Sequence, residues 1–293
     1  MLKAGLARFS PALRQDVLRY VLARHSRDGG FPGRRGGSDL YYTEFATRVM
    51  ILLDCPREHL ERVLAWLVGT RPTPATVVDC FSLLNLQRML TMRGLNFAPD
   101  RDQLLGCIAR CALPSGGWAG VPAGPLSAYT TFIAALCLQM LDEPVDLRAA
   151  AAALKGLEQP AGGYVEAAGE PVAQTSATAA VLTFLEASGL SGPGVRHPAA
   201  GLLASMQASD GGLKAWAGAA SGDLLSTFTA LLALGLAGSA SCLDLPALGR
   251  FVRDCAGPGG GFGAYPGDRQ TDVEYTYYGL GTLALLAGIA AGG

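Results

Sequence analysis

Apolar residues recur along the chain at helical spacing, in two alternating kinds of segment. Leu13 to Arg24 carries apolar residues at 13, 17, 18, 21 and 22, a stripe on one helix face. The next segment, Tyr41 to Leu53, is more apolar and opens on Tyr41, Tyr42, Thr43 and Glu44. The alternation continues. Glu58 to Val68, Asp102 to Cys111, Leu147 to Leu157, Pro198 to Gln207 and Leu245 to Cys255 are of the first kind. Ala75 to Leu90, Leu126 to Leu141, Thr175 to Leu185, Asp223 to Leu236 and Glu274 to Leu286 are of the second. A helix apolar all round must be buried on all sides, whereas a striped one covers it and meets water. Twelve helices in alternation predict six hairpins, apolar members inside and striped members outside. Open solenoids need polar terminal units, and here the terminal units are as apolar as the middle ones. The expectation is therefore an all-α, closed (α/α)6 toroid of six helical-hairpin repeats, with residues 1–293 as a single domain.

The turns carry the same period. Gly-Gly pairs begin at Gly29, Gly116, Gly162, Gly211 and Gly260, separated by 87, 46, 49 and 49 residues. The first gap holds two periods. Pro72 and Pro74, beside Gly69 and Thr73, supply the breaker cluster where the missing turn should fall. Each pair is followed by Phe31, Trp118, Tyr164 or Phe262, with Leu213 the exception. These Gly-Gly-aromatic turns are expected to join each outer helix to the next inner one.

Composition narrows the function classes. Half of the 293 residues are hydrophobic, 16% are charged and the net charge is −1. That gives no electrostatic case for nucleic acid or an anionic membrane surface. Residues 114–141 and 275–293 lack charge, but the first contains Pro114, Pro122 and Pro125 and both fit the repeat, so no membrane span is expected. The start of the chain has no signal-peptide pattern, and the seven cysteines have no disulfide-framework spacing. Both readings point to a cytoplasmic protein with reduced thiols.

Gly-Gly-Phe/Trp followed by an apolar helix at this period resembles the prenyltransferase and squalene-cyclase repeat. The likeness extends over essentially the whole chain, to the β subunit of the protein prenyltransferases and to the β domain of class II terpene cyclases. It implies an isoprenoid-processing enzyme acting on a prenyl diphosphate in the barrel. The prenyltransferase pattern also implies a zinc held by Asp, Cys and His. Here the aligned positions are Asp223, Leu225 and Tyr275. Two of three ligands are absent, and the histidines (His25, His59, His197) lie on or beside outer helices, so no metal residue is assigned and zinc is not expected. The cyclase pattern, Asp-x-Asp-Asp-Thr, falls on Asp272-Val273-Glu274-Tyr275-Thr276. It implies Glu274 in the proton donor's place and Tyr275 in that of its partner. The plainer reading of Asp272 and Glu274 is as first-turn acids favoured by the helix dipole.

If the ring closes, the last repeat meets the first. Arg34, Arg35 and Arg269 then converge as ligands for a diphosphate. Tyr42 and Glu44 approach Asp272, Glu274, Tyr275 and Tyr277, and acids of this group would hold Mg²⁺ with the diphosphate. Tyr129 adds a polar head on another inner helix. The candidate catalytic set is Asp272, Glu274, Tyr275 and Asp223. Three functions remain open: prenyl transfer without zinc, proton-initiated cyclisation at Asp272 or Glu274, and a non-catalytic isoprenoid-binding or interaction toroid. A member acting on proteins would also need a helical α partner.

Overall fold

The computed structural model of the protein describes residues 2–191 and 193–292, without the side chains of 193–197, 291 and 292. His197 therefore lies outside the described side chains. Among the described residues there are thirteen α-helices. In chain order they are α1 (Leu2–Leu6), α2 (Pro11–Leu22), α3 (Leu40–Leu52), α4 (Arg57–Thr70), α5 (Val77–Thr91), α6 (Arg101–Cys111) and α7 (Ala128–Met140). Then follow α8 (Leu147–Lys155), α9 (Thr175–Ala187), α10 (Pro193–Ser205), α11 (Leu224–Leu236), α12 (Leu245–Asp254) and α13 (Val273–Gly292). Twelve of these match the segments expected from periodicity. The five-residue α1 and a 3-10 turn at Ala240–Cys242 are too short to show a period. A two-residue antiparallel ladder, Phe31–Pro32 with Ser38–Asp39, is the one named sheet among the described residues.

Two compact units are formed, residues 1–104 with 252–293, and residues 105–251. In the first, α3 packs against α5 and α13, and α1 packs against α13. Gly5 makes the last contact close, since a Cβ there would lie 2.0 Å from the Ala284 carbonyl oxygen. In the second unit, α7, α9 and α11 pack in succession, with α8 and α10 against them. No described helix is long and apolar enough to cross a membrane.

Two polar devices place the heads of the inner helices, α9 lacking the first and α5 the second. The first is an N-cap side chain that accepts a backbone N–H three residues on. Asp39 accepts from Tyr42, Thr76 from Asp79, Ser127 from Thr130, Asp223 from Ser226 and Asp272 from Tyr275. The second is a buried threonine four residues after the cap position. Its hydroxyl accepts the N–H of the residue following the preceding Gly-Gly pair. The pairs are Thr43 with Phe31, Thr131 with Trp118, Thr178 with Tyr164, Thr227 with Leu213 and Thr276 with Phe262, at 2.9–3.1 Å. All ten of these residues are buried.

The first glycine of each pair allows the turn to press on an outer helix. At Gly260 the backbone has φ +97°, and a Cβ would lie 2.6 Å from the Asp16 carbonyl group of α2. Gly211 meets Ala247 of α12 in the same way, at φ +93°. The turn without glycines, after α4, instead places Arg71 in the left-handed region at φ 46° and caps α5 with a Thr76–Asp79 capping box.

Candidate functional site

In the first unit, the opening turn of α13 meets that of α3 and the loop before it. Asp272 is 5% exposed and is the N-cap of α13. Its Oδ1 accepts the Tyr275 N–H at 2.8 Å, and its Oδ2 accepts Arg34 Nε–H at 2.6 Å. Arg34 also reaches Asp268, at 3.6 Å. Asp268 is itself fixed by the N–H groups of Ala264 and Gln270. Both oxygens of Asp272 are thus taken up as acceptors.

Glu274 stands one helical step further on. Its Oε1 accepts the Tyr41 hydroxyl at 2.7 Å and the Tyr278 hydroxyl at 3.4 Å. Burial pushes its pKa above the ordinary carboxylate value. The nearby Asp272 charge adds to this, while the Tyr41 and Tyr278 hydrogen bonds and Arg34 pull it back. Burial likewise raises the Tyr42 phenol, with the charges of Glu274 and Asp272 adding to it. Rings surround the carboxyl's neighbours: Phe45 lies edge-on to Tyr41, Tyr277 and Tyr278 at 4.9–5.5 Å. The Arg34 guanidinium sits 5.2 Å above the Tyr275 ring.

One turn deeper in α3, Glu44 is buried and bonded to Arg48 Nε. The Arg48 guanidinium is ringed by Phe45, Phe81 and Tyr277, 5.1–5.7 Å from their centroids. Burial raises the pKa of Glu44, with Arg48 opposing. At Arg48 burial opposes the charge, and the Glu44 carboxylate more than offsets this, so its pKa is raised. The Arg48 side chain nonetheless stays 22% exposed.

The residues singled out in the sequence therefore divide. Arg34, Tyr42, Asp272, Glu274 and Tyr275 come together. Tyr277 joins the deeper Arg48 group with Glu44, which does not line up with the rim acids because it lies further along α3. Arg35 and Arg269 are exposed, and neither enters an ion pair among the described residues. Tyr129 and Asp223 are on the second unit. Tyr129 is 39% exposed. Asp223 is the cap of α11, accepting from the Ser226 N–H and hydroxyl, and burial raises its pKa. Three partners escaped the sequence reading: Tyr41, Asp268 and Arg48. Arg48 left a signal, a Glu-Arg pair at i, i+4 inside an otherwise apolar helix.

The cap-and-threonine frame separates scaffold from chemistry. Asp272 and Thr276 repeat what Asp39 and Thr43, or Asp223 and Thr227, do elsewhere. Two positions after the cap, the inner helices carry Tyr41, Val78, Tyr129, Ser176, Leu225 and Glu274. Glu274 alone among them is acidic. The zinc positions do not fit a metal: Leu225 has no donor atom, Tyr275 replaces the imidazole, and Asp223 is occupied as a cap. Among the described residues no three His, Cys, Asp or Glu side chains converge to hold a metal ion.

Over this frame, the family model described as "Prenyltransferase alpha-alpha toroid domain" matches residues 70–185 and 148–291. The chain belongs to this family. As an alpha-alpha toroid it is similar to a type II terpene cyclase from Scytonema solved with geranylgeranyl dihydroxybenzoate, at 13% identity and TM-score 0.67, covering 98% of this chain and 99% of that one. It is also similar to Candida albicans protein geranylgeranyltransferase-I complexed with GGPP, at 14% identity and TM-score 0.56, covering 96% and 81%. A glycosidase in complex with glucose matches at 15% identity and TM-score 0.60, covering 95% and 96%. At such identities the likeness establishes the toroid fold. No curated protein matches the chain.

Proposed function

We propose that this toroid is an isoprenoid-processing enzyme in which Glu274 protonates a carbon–carbon double bond of a polyprenyl chain. The observation that carries the reading is the environment of Glu274, a carboxyl held toward its protonated form by burial among aromatic rings. In the proposed step the Glu274 O–H bond breaks and the alkene π electrons form a new C–H bond. The resulting tertiary cation lies against the Tyr41 and Tyr278 rings beside Glu274, whose quadrupoles favour positive charge. A neighbouring double bond then closes a ring, the ring cation loses a proton to water, and water returns a proton to the Glu274 carboxylate, so that the net change is an isomerisation. Tyr41 orients Glu274. Arg34 and Asp272 hold the mouth in shape as a neutral pair. The free thiols support a reducing, cytoplasmic setting.

Prenyl transfer without zinc is less well supported, because Arg34 is already engaged by Asp272 and Asp268. In that reading Arg35 and Arg269 would meet the diphosphate, with Mg²⁺ as its counterion. A non-catalytic binding toroid draws support from the two neutralised pairs, Arg34–Asp272 and Arg48–Glu44. Incubation with farnesyl and geranylgeranyl diphosphate, with and without Mg²⁺, separates the three. A cyclised product of unchanged mass that keeps its diphosphate supports protonation. Pyrophosphate release would transfer the assignment to an ionising enzyme. Saturable binding without turnover would leave the binding toroid.

A further inference from the structure

A recess of about 470 Å³ lies on the second unit, between the loops that precede α9 and α11. Its apolar lining is Pro171, Val172, Ala215 and Trp216, and its polar lining is Glu170, Gln174 and Ser176. The size is that of a small-molecule site. Its walls are tied together: the Thr175 N–H donates to the Ala215 carbonyl at 2.8 Å, and the Thr175 hydroxyl donates to the Lys214 carbonyl. Trp216 rests on Gly218, where a Cβ would come within 2.1 Å of the indole. Its side chain is 46% exposed, whereas Trp66 and Trp118 are 6% and 8% exposed. A large aromatic face is thus kept in solvent by the backbone beneath it.

The polar lining holds a placed carboxylate. Glu170 Oε2 accepts Gln174 Nε2–H at 2.7 Å and the Glu166 N–H at 3.3 Å. Its Oε1 takes no hydrogen bond, and its carboxylate no ion pair, among the described residues. Residues 156–195 contain four glutamates and no lysine or arginine. Lys214, on the neighbouring loop, makes no ion pair with it in the described structure. An exposed indole face beside an unpaired carboxylate is the arrangement that attracts an organic cation, through the ring quadrupole and through charge.

We propose that this recess binds a small organic cation carrying an ammonium group, seated between the Trp216 ring and the Glu170 carboxylate. The proposal is independent of the reading of Glu274, since no residue lining the recess belongs to that site. Choline and tetramethylammonium are the probes, added to the full-length protein. Because Trp216 is the exposed tryptophan, its fluorescence reports occupancy: either cation should shield it from acrylamide quenching. Calorimetry should show affinity falling on the order of tenfold in Glu170→Gln and at least as far in Trp216→Ala, with circular dichroism unchanged. Absence of shielding on folded protein overturns the proposal. So does an affinity indifferent to Glu170→Gln, or shielding by glucose in place of the cations, which would make the recess a sugar platform.

Discussion

Glu274 differs from every other residue two places beyond an inner-helix cap in being an acid, and its surroundings hold that acid toward its protonated form. Glu274→Gln keeps the shape of the protonated side chain and removes the transferable proton. Turnover of a cyclised product should fall by about 10²–10⁴-fold, the usual worth of a general acid. The same substitution has a stability signature with a definite sign. Because the folded-state pKa is raised, wild type and variant should melt alike below the ordinary glutamate pKa of about 4.3. As pH rises from there through the folded-state pKa, wild type acquires a half-buried charge that its unfolded chain solvates freely. The Tm of Glu274→Gln should then exceed that of wild type, by roughly 2 °C per kcal/mol of relieved burial. A Tm difference that grew toward acid pH would refute the assignment. Tyr41→Phe removes a hydrogen bond that favours the carboxylate, so the pKa of Glu274 should rise. The pH above which kcat declines should move upward with it, a shift that a merely structural role for Tyr41 would not produce.

At the scale of elements, one frame recurs: a capping side chain, a threonine four positions later, and a Gly-Gly turn pinned by that threonine. Much of this was legible in the sequence. The alternation of striped and apolar segments locates twelve helices. The frame's polar half was harder to read. Thr43, Thr131, Thr178, Thr227 and Thr276 look like ordinary core-helix residues until the turn that each one holds is known. For the same reason Asp223 and Asp272 attract catalytic readings from motif alignment, although each is engaged as a cap. The site was half legible. Arg34 and the α13 acids were expected to meet, but nothing in local spacing favours Tyr41 over Tyr42 as the partner of Glu274, because that choice depends on how α3 is turned toward α13. The buried Glu44–Arg48 pair yields a further test. Arg48→Met alone strands a buried carboxylate and should cost about 3–5 kcal/mol, while Glu44→Leu with Arg48→Met should come back to within about 1 kcal/mol of wild type. Thermal or urea melts of the three proteins check this. Near-equal melting of the single variant and wild type would mean that Glu44 simply takes up a proton.

For the whole molecule, the decisive contacts join the two ends of the sequence. Gly260, in the last Gly-Gly turn, presses on α2 as Gly211 presses on α12. Gly260→Ala must both adopt φ +97° and displace the Asp16 backbone, so it should cost more than about 2 kcal/mol. Gly267→Ala, at φ +85° with open space around it, should cost about 1 kcal/mol. Equal losses would show that the contact with α2 is slack.

That joining has a meaning in time. Tyr41 and Glu274 are 233 residues apart in sequence. At a synthesis rate of roughly 5–20 residues per second, α3 leaves the ribosome some ten to fifty seconds before the helix that completes its surroundings. Throughout that interval its apolar face has no α13 to cover it, and the early part of the chain is exposed to holdases, to proteases and to its own copies. A nascent chain stalled before the last Gly-Gly turn should therefore be captured by chaperones, and the Tyr41–Glu274 contact should form only after the final helix has emerged.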